Sequence, residues 1–338
     1  MTSYERFRCR LRGQPVDRAP NFDIMMVFAA HYVRQPLSAY YQDYRVLCEA
    51  NLVVQEVFDL DIVQAISDPY RETADFGATI RLPHDGLPIC EEPLLTDPEA
   101  LSDLRPPDPW SGGRMTDRVQ AVRRFRRSVG GEVPIMGWVE GALAEAADLR
   151  GVLDLMTDLY DRPEWVHELL ELCTRVSIGF AKAQVEAGAD IVGLGDAIAS
   201  QIGPAFYREF GLPYEKRIYE AIRQAGAVGR LHICGDTTLL LDDMGDSGAD
   251  IIDLDWMVDM AHAARVIGDR AVLCGNFDPV AVMLQSRPDQ VERATLECLR
   301  LGGSRCFSAA GCEIPDGTPT ENLLAQATAL QRAGGDQD

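Results

Sequence analysis

Two side chains with affinity for soft metals stand two residues apart in the run Gly229-Arg230-Leu231-His232-Ile233-Cys234-Gly235-Asp236-Thr237. The run is apolar and strand-like up to Cys234. Along a strand, residues i and i+2 project from one face, so the imidazole of His232 and the thiol of Cys234 can address a single point. A third soft group, Cys312, sits in Ala309-Ala310-Gly311-Cys312-Glu313-Ile314-Pro315, where another strand-like run enters a glycine-containing loop. One imidazole and two thiolates suit zinc, and three protein ligands leave a position for a substrate atom. Zn²⁺ with two thiolates and a neutral imidazole sums to zero charge. Such a centre can take up a thiol, promote loss of its proton and leave a sulfur that is still electron-rich.

A tripeptide of this kind also arises by chance in a chain with 5 His and 9 Cys, so its weight depends on the elements that carry it. Helical spacing over residues 3–12 stops at Gly13, and Pro15 to Pro20 form a turn into an apolar run, Phe22 to Phe28, read as a first strand. A helix from about Tyr40 to Phe58 leads to a second strand, Leu60 to Ile66, ending at Ser67-Asp68-Pro69. Between Thr79 and Pro93 the glycines and prolines surround short β-prone pieces, which predicts a hairpin excursion. Further strands are expected at Val133 to Trp138, Ile191 to Gly195, Gly229 to Cys234, Asp250 to Leu254, Ala271 to Cys274 and Arg305 to Ser308, with helices between them. A closing helix spans Glu321 to Arg332. Eight short apolar runs alternating with helices predict an α/β fold, a (β/α)8 TIM barrel forming one domain over residues 1–338, with 331–338 a flexible tail. Active sites of such barrels lie at the C-terminal ends of the strands. His232 and Cys234 fall at the end of the fifth strand and Cys312 just after the eighth, so the three converge on the face where chemistry is expected. His31, His84, His167 and His262 do not share this placement. Cys274 and Cys306, inside strand runs, read as small core residues.

With 32 basic and 53 acidic residues the net charge is -21, which repels phosphate backbones and anionic lipid. Neither nucleic acid nor a membrane is an expected partner. The nine cysteines are odd in number and scattered, without the dense spacing of a disulfide framework. The first residues lack the uninterrupted apolar core of a signal peptide and no later run approaches a membrane span. The expectation is a cytoplasmic protein.

Over nearly its whole length the chain resembles the uroporphyrinogen decarboxylase superfamily. The resemblance rests on Tyr4-Glu5-Arg6-Phe7, Asp17-Arg18-Ala19-Pro20, Gly188-Ala189-Asp190, Asp255-Trp256 and, most specifically, Cys274-Gly275-Asn276-Phe277-Asp278-Pro279. Two chemistries share that barrel: decarboxylation of a porphyrinogen, and zinc-dependent methyl transfer between a corrinoid and a thiol such as coenzyme M. The decarboxylases carry an arginine-rich segment, Met-Arg-Gln-Ala-Gly-Arg-Tyr, that binds the substrate's carboxylates. Here the region reads Ile24-Met25-Met26-Val27-Phe28-Ala29-Ala30-His31-Tyr32, without either arginine. Bringing an octacarboxylate into the barrel mouth without those cations would be costly. The Gly-His-Gly loop of the decarboxylases is also replaced, by Gly311-Cys312-Glu313.

The methylcobamide:coenzyme M methyltransferase-like branch is marked by His-x-Cys-Gly after strand five and a Gly-Cys loop after strand eight, and His232, Cys234 and Cys312 match position by position. The resemblance thus implies a zinc enzyme with those three ligands. It also implies a corrinoid (cobalamin) as methyl donor or acceptor, presented by a corrinoid protein or as free methylcobamide, and a small thiol as the other partner. One similarity favours the alternative, a decarboxylase-type carboxy-lyase: Ser67-Asp68 lies where the decarboxylases keep a catalytic Ser-Asp, so Asp68 is a site candidate under both readings. A third reading is a binding-only barrel with structural zinc or none. Glu140, Asp196, Asp236 and Glu313 are candidates for a fourth ligand, although hydrogen bonding at strand ends accounts for each. Asp236 would either orient His232 or cap the next helix.

Overall fold

The computed structural model describes residues 1–335. Its centre is a parallel sheet whose neighbours in order are Val63–Gln64, Ile135–Glu140, Ile191–Gly195, Val228–His232, Ile251–Asp253 and Val272–Cys274. Two further extended segments close it into a barrel. Phe307 bridges Cys274, Ala310 bridges Phe277, and Asn21 bridges Ser308, while Asp61 N–H reaches Asn21 O at 2.9 Å. The eight expected strands are therefore the eight staves of a (β/α)8 barrel. The first and last are held partly by side chains instead of a regular ladder: Asp61 Oδ2 accepts from Asn21 N at 2.7 Å, and Asp23 Oδ1 accepts from Ala310 N at 2.7 Å. A carboxylate that takes a backbone N–H satisfies it as well as a neighbouring carbonyl does, at the cost of strand regularity.

Alternation along each stave separates two cores. Val139, Val192, Leu194, Leu231, Ile252 and Leu273 face the surrounding helices. Met136, Trp138, Ile191, Ile251, Val272 and Cys274 face inward, together with Phe7, Phe22 and Phe307. The inward set is a packed interior rather than a pore. Its lower end is stoppered by the helix Ser3–Leu11, whose Thr2/Glu5 capping box fixes its start. From that helix Phe7, fully buried, stacks on Phe22 at 5.8 Å, and Phe22 meets Phe307 edge-on at 4.8 Å.

Three boundaries differ from the sequence reading, each for a tertiary reason. The run Phe22 to Phe28 is not one strand: a helix, Val27–Tyr32, begins inside it because Glu313 Oε1, far along the chain, accepts the N–H of Val27 at 2.7 Å. The helix expected over 40–58 is divided into Leu37–Gln42 and Tyr44–Val57 at Asp43, which is extended and caps the second piece through Arg45 N. The last helix runs Thr320–Gly335, so residues 331–335, expected in a flexible tail, are helical; the rest of that tail, 336–338, lies outside the described residues. The predicted hairpin is present as Ile80–Arg81 paired antiparallel with Ile89–Cys90. Among the described residues no helix is long and apolar enough to cross a membrane.

The aromatic stopper gives a direct test. Phe7→Ala leaves a cavity between three rings and should lower unfolding free energy by about 3–5 kcal/mol, read from chemical denaturation. A loss below about 1 kcal/mol would mean that the helix is not an integral part of the interior.

Candidate metal centre and the cavity above it

His232 is the last residue of its strand, in register with Gly195 on one side and Asp253 on the other. It shares the inward face with Arg230 one pleat below and Cys234 one pleat above. Gly235 then turns the chain at φ +92° and donates its N–H to Asp255 Oδ2 at 2.6 Å, which fixes the height of Cys234. The second thiol arrives over Gly311. A Cβ at that position would lie 2.3 Å from Trp256 N, so a bare backbone is needed for the loop to pass the 255–256 segment and deliver Cys312.

The result is a compact trio. Cys234 Sγ lies 3.2 Å and Cys312 Sγ 3.7 Å from His232 Nε2, and all three donor atoms fall within 4.8 Å of one another. Ordinary zinc bond lengths in a tetrahedron give N to S edges of about 3.6 Å, which the two observed distances bracket. The other ring nitrogen, Nδ1, faces Asp253 Oδ2 at 3.1 Å. That contact favours the proton on Nδ1 and leaves Nε2 as the electron-pair donor. Asp253 Oδ2 also accepts from Arg230 Nη2 at 2.7 Å, and Arg230 is itself fully buried, bonded onward to Phe22 O at 3.2 Å. Burial alone would raise the Asp253 carboxyl, but the Arg230 guanidinium outweighs it and holds the group below the usual carboxylate range.

Protons are distributed unevenly among the three donors. The hydrogen bond from Cys234, helped by His232, lowers the Cys312 thiol, while that same bond and then burial raise Cys234. Burial works against charge on His232, but the neighbouring Cys234 and Asp253 raise it well above the ordinary imidazole range. A soft cation placed among them would replace those protons as the source of positive charge.

Above the trio is a cavity of about 190 Å³, walled by Ile24, Met26, Ile66, Trp138 and Pro69 as well as by His232, Cys234 and Cys312. Trp138 fits because the neighbouring stave presents glycines: a Cβ at Gly193 would lie 2.2 Å from the indole and one at Gly195 3.0 Å. The polar wall consists of Ser67, Glu140 and Glu313. Burial pushes Glu140 up to about 8 despite its bond from Arg71 Nη2 at 2.7 Å, and burial pushes Glu313 up to about 7.

The remaining candidates from the sequence have other commitments. Asp68 points away from the cavity, where Ser67 and Pro69 form the wall, and pairs with Arg114 Nη2 at 2.5 Å while accepting from Tyr70 N at 3.2 Å. Its pKa is lowered: burial opposes the charge, but Arg114 and Arg71 outweigh it. Asp196 accepts from Ala144 N, and exposed Asp236 accepts from Thr238 N, so Asp236 caps a turn and the role of orienting His232 belongs to Asp253. Sequence reasoning missed Asp253, Arg230 and Trp138 as parts of the site. The available signal was parity: 230 and 232, and 251 and 253, are inward positions, and two opposite charges at such positions must pair inside the barrel.

The family model for uroporphyrinogen decarboxylase (URO-D) matches residues 2–333, and the chain belongs to that family. A methylcobamide:CoM methyltransferase, MtbA, of Methanosarcina mazei is 31% identical over 336 residues, covering 96% of both chains. A uroporphyrinogen decarboxylase of Coxiella burnetii is 28% identical over 348 residues, covering 97% of this chain and 94% of its own. The solved structure of a methyltransferase from Methanosarcina mazei superposes with a TM-score of 0.90 at 26% identity, covering 98% of this chain and 99% of the other.

Purified protein should contain about one zinc per chain, and Cys234→Ser and Cys312→Ser should each lose most of it. Asp253→Asn should weaken zinc binding about 10–100-fold, measured by chelator competition, while the protein remains folded. Full retention in both cysteine variants would eliminate the site.

Proposed function

We propose that this chain is a zinc-dependent methyltransferase that moves a methyl group between a corrinoid and a small thiol. The observation that carries the reading is the trio of one imidazole and two thiols, held within 4.8 Å at the floor of a cavity. The donor set fits zinc by type and by spacing, and His232, Cys234 and Cys312 would hold it. When bound there, the ion supplies the Lewis acidity that lets a thiol give up its proton near neutral pH.

The chain's own residues do the rest. Asp253 and Arg230 hold the imidazole in one tautomer, so that its pair is available at Nε2. Ile24, Met26, Ile66 and Trp138 keep water from the sulfur, which preserves its nucleophilicity in a low-dielectric setting. In the forward direction the sulfur–carbon bond forms as the cobalt–carbon bond breaks, the electron pair stays on cobalt and the thiol proton leaves. A cavity of about 190 Å³ is far too small for a corrin ring, so the methyl donor has to be presented at the mouth, either as free methylcobamide or on a corrinoid protein. The likeness to MtbA and to the Methanosarcina methyltransferase structure supports this reading.

The carboxy-lyase alternative lacks comparable support. Among the described residues no Lys or Arg lines the cavity, so the substrate's carboxylates would meet no cation there, and the carboxylate of Asp68 is turned toward Arg114.

Zinc-loaded protein with methylcobalamin and a small thiol should bleach the methyl–cobalt absorbance and yield a thioether. His232→Ala should abolish the reaction with the barrel still folded, since the residue sits at the rim of the stave. Equal rates in parent and variant would contradict the proposal, and efficient turnover of uroporphyrinogen would reverse the ranking of the two chemistries.

A further inference from the structure

The polar wall of the cavity carries carboxyl groups. Besides the trio, the charged groups lining the cavity are Glu140 and Glu313, both carboxylic acids. Glu140 lies on the inward face of its strand one pleat above Trp138, so an acidic group and an indole border the same space. Glu140 Oε1 is taken by Arg71, and among the described residues Oε2 has no hydrogen-bond partner. Guanidinium groups do exist behind the wall, but neither lines the cavity, and each is paired with a carboxylate. Arg71, fully buried, is divided between Glu140, Glu72 at 3.4 Å and the Asp68 carbonyl. Arg114 is paired with Asp68 and Tyr41 O; its Nε and Nη1 are buried without a hydrogen-bond partner, and the residue is not part of the cavity wall. Set against those two cations are three carboxyl groups, Asp68, Glu72 and Glu140, before Glu313 is counted.

From this arrangement we infer that the thiol partner carries an ammonium group at its other end, a short aminothiol, rather than a sulfonate or carboxylate. The assignment rests on the thiol-binding reading of the same site. An ammonium entering the cavity meets the free oxygen of Glu140 and the indole of Trp138, both attractive to a cation. A sulfonate of the same length meets the same carboxylates with no accessible donor cation, and loses its hydration without replacement. The cavity's apolar remainder suits a two-carbon spacer between the groups.

The test uses the zinc-loaded full chain and three thiols with one spacer and three ends: cysteamine (ammonium), 2-mercaptoethanol (neutral) and 2-mercaptoethanesulfonate (coenzyme M, anionic). Calorimetric titration at a fixed pH of about 8, where Glu140 is part ionised, should rank them in that order, with about tenfold or more between the extremes. Glu140→Gln keeps an oxygen for Arg71 but removes the charge, and should compress the ratio of cysteamine to sulfonate affinity; taking the ratio in both proteins cancels the different intrinsic acidities of the thiols. Equal or tighter binding of the sulfonate by the parent, absence of binding by all three, or an unchanged ratio in a folded Glu140→Gln protein would overturn the assignment. If the variant does not fold, the parent affinities are compared after each is corrected for that thiol's own ionisation at the same pH, measured without protein. Retention of the ranking without methyl transfer from methylcobalamin to any of the three would support the thiol assignment and remove the methyl-transfer reading.

Discussion

Inside the barrel a buried arginine and a buried aspartate hold the site in place. Arg230 and Asp253 meet at 2.7 Å on adjacent staves with almost no exposure, and Asp253 in turn faces His232 Nδ1. Two isolated charges in such a place would each be prohibitive, and together they are tolerable only because the geometry is close and the remaining donors are used. Removing one partner would leave the other charged and unpaired, a change that typically costs about 3–5 kcal/mol. The pair has a second consequence. With Arg230 and Asp253 paired, a zinc ion held by two thiolates and a neutral imidazole would form a centre that is neutral as a whole.

The upper site depends on where side chains are missing. Gly193 and Gly195 clear the volume that the Trp138 indole occupies, and Gly311 lets the Cys312 loop run against the 255–256 backbone. A methyl group at any of these positions would have to displace an aromatic ring or a stretch of main chain. The cavity is therefore a negative shape set by glycines on one stave and a tryptophan on the next, with His232, Cys234 and Cys312 in its lining.

Much of this could be read in the sequence because strand parity and barrel topology are strong constraints. Once eight apolar runs alternate with helices, His232, Cys234 and Cys312 must end on one face, and the structure brings their donor atoms together. What could not be read depends on contacts between distant parts of the chain. The end of the first stave is set by Glu313, 286 positions away from the Val27 N–H that it accepts. Asp68, placed beside a catalytic position by analogy, is turned aside by Arg114, a residue that no local pattern connects with it. Asp236 stood next to the ligand strand and looked like the partner of His232, yet it is Asp253 from the neighbouring stave that faces the ring. Sequence proximity favoured the first and sheet register supplied the second.

The central claim is that these three side chains form one zinc centre with a mixed ligand set. X-ray absorption at the zinc edge of the purified protein tests it most directly. The account predicts two sulfur scatterers at about 2.3 Å and one imidazole nitrogen at about 2.0–2.1 Å, with any remaining ligand a light atom. A shell of four sulfurs, or one of nitrogen and oxygen alone, would contradict it.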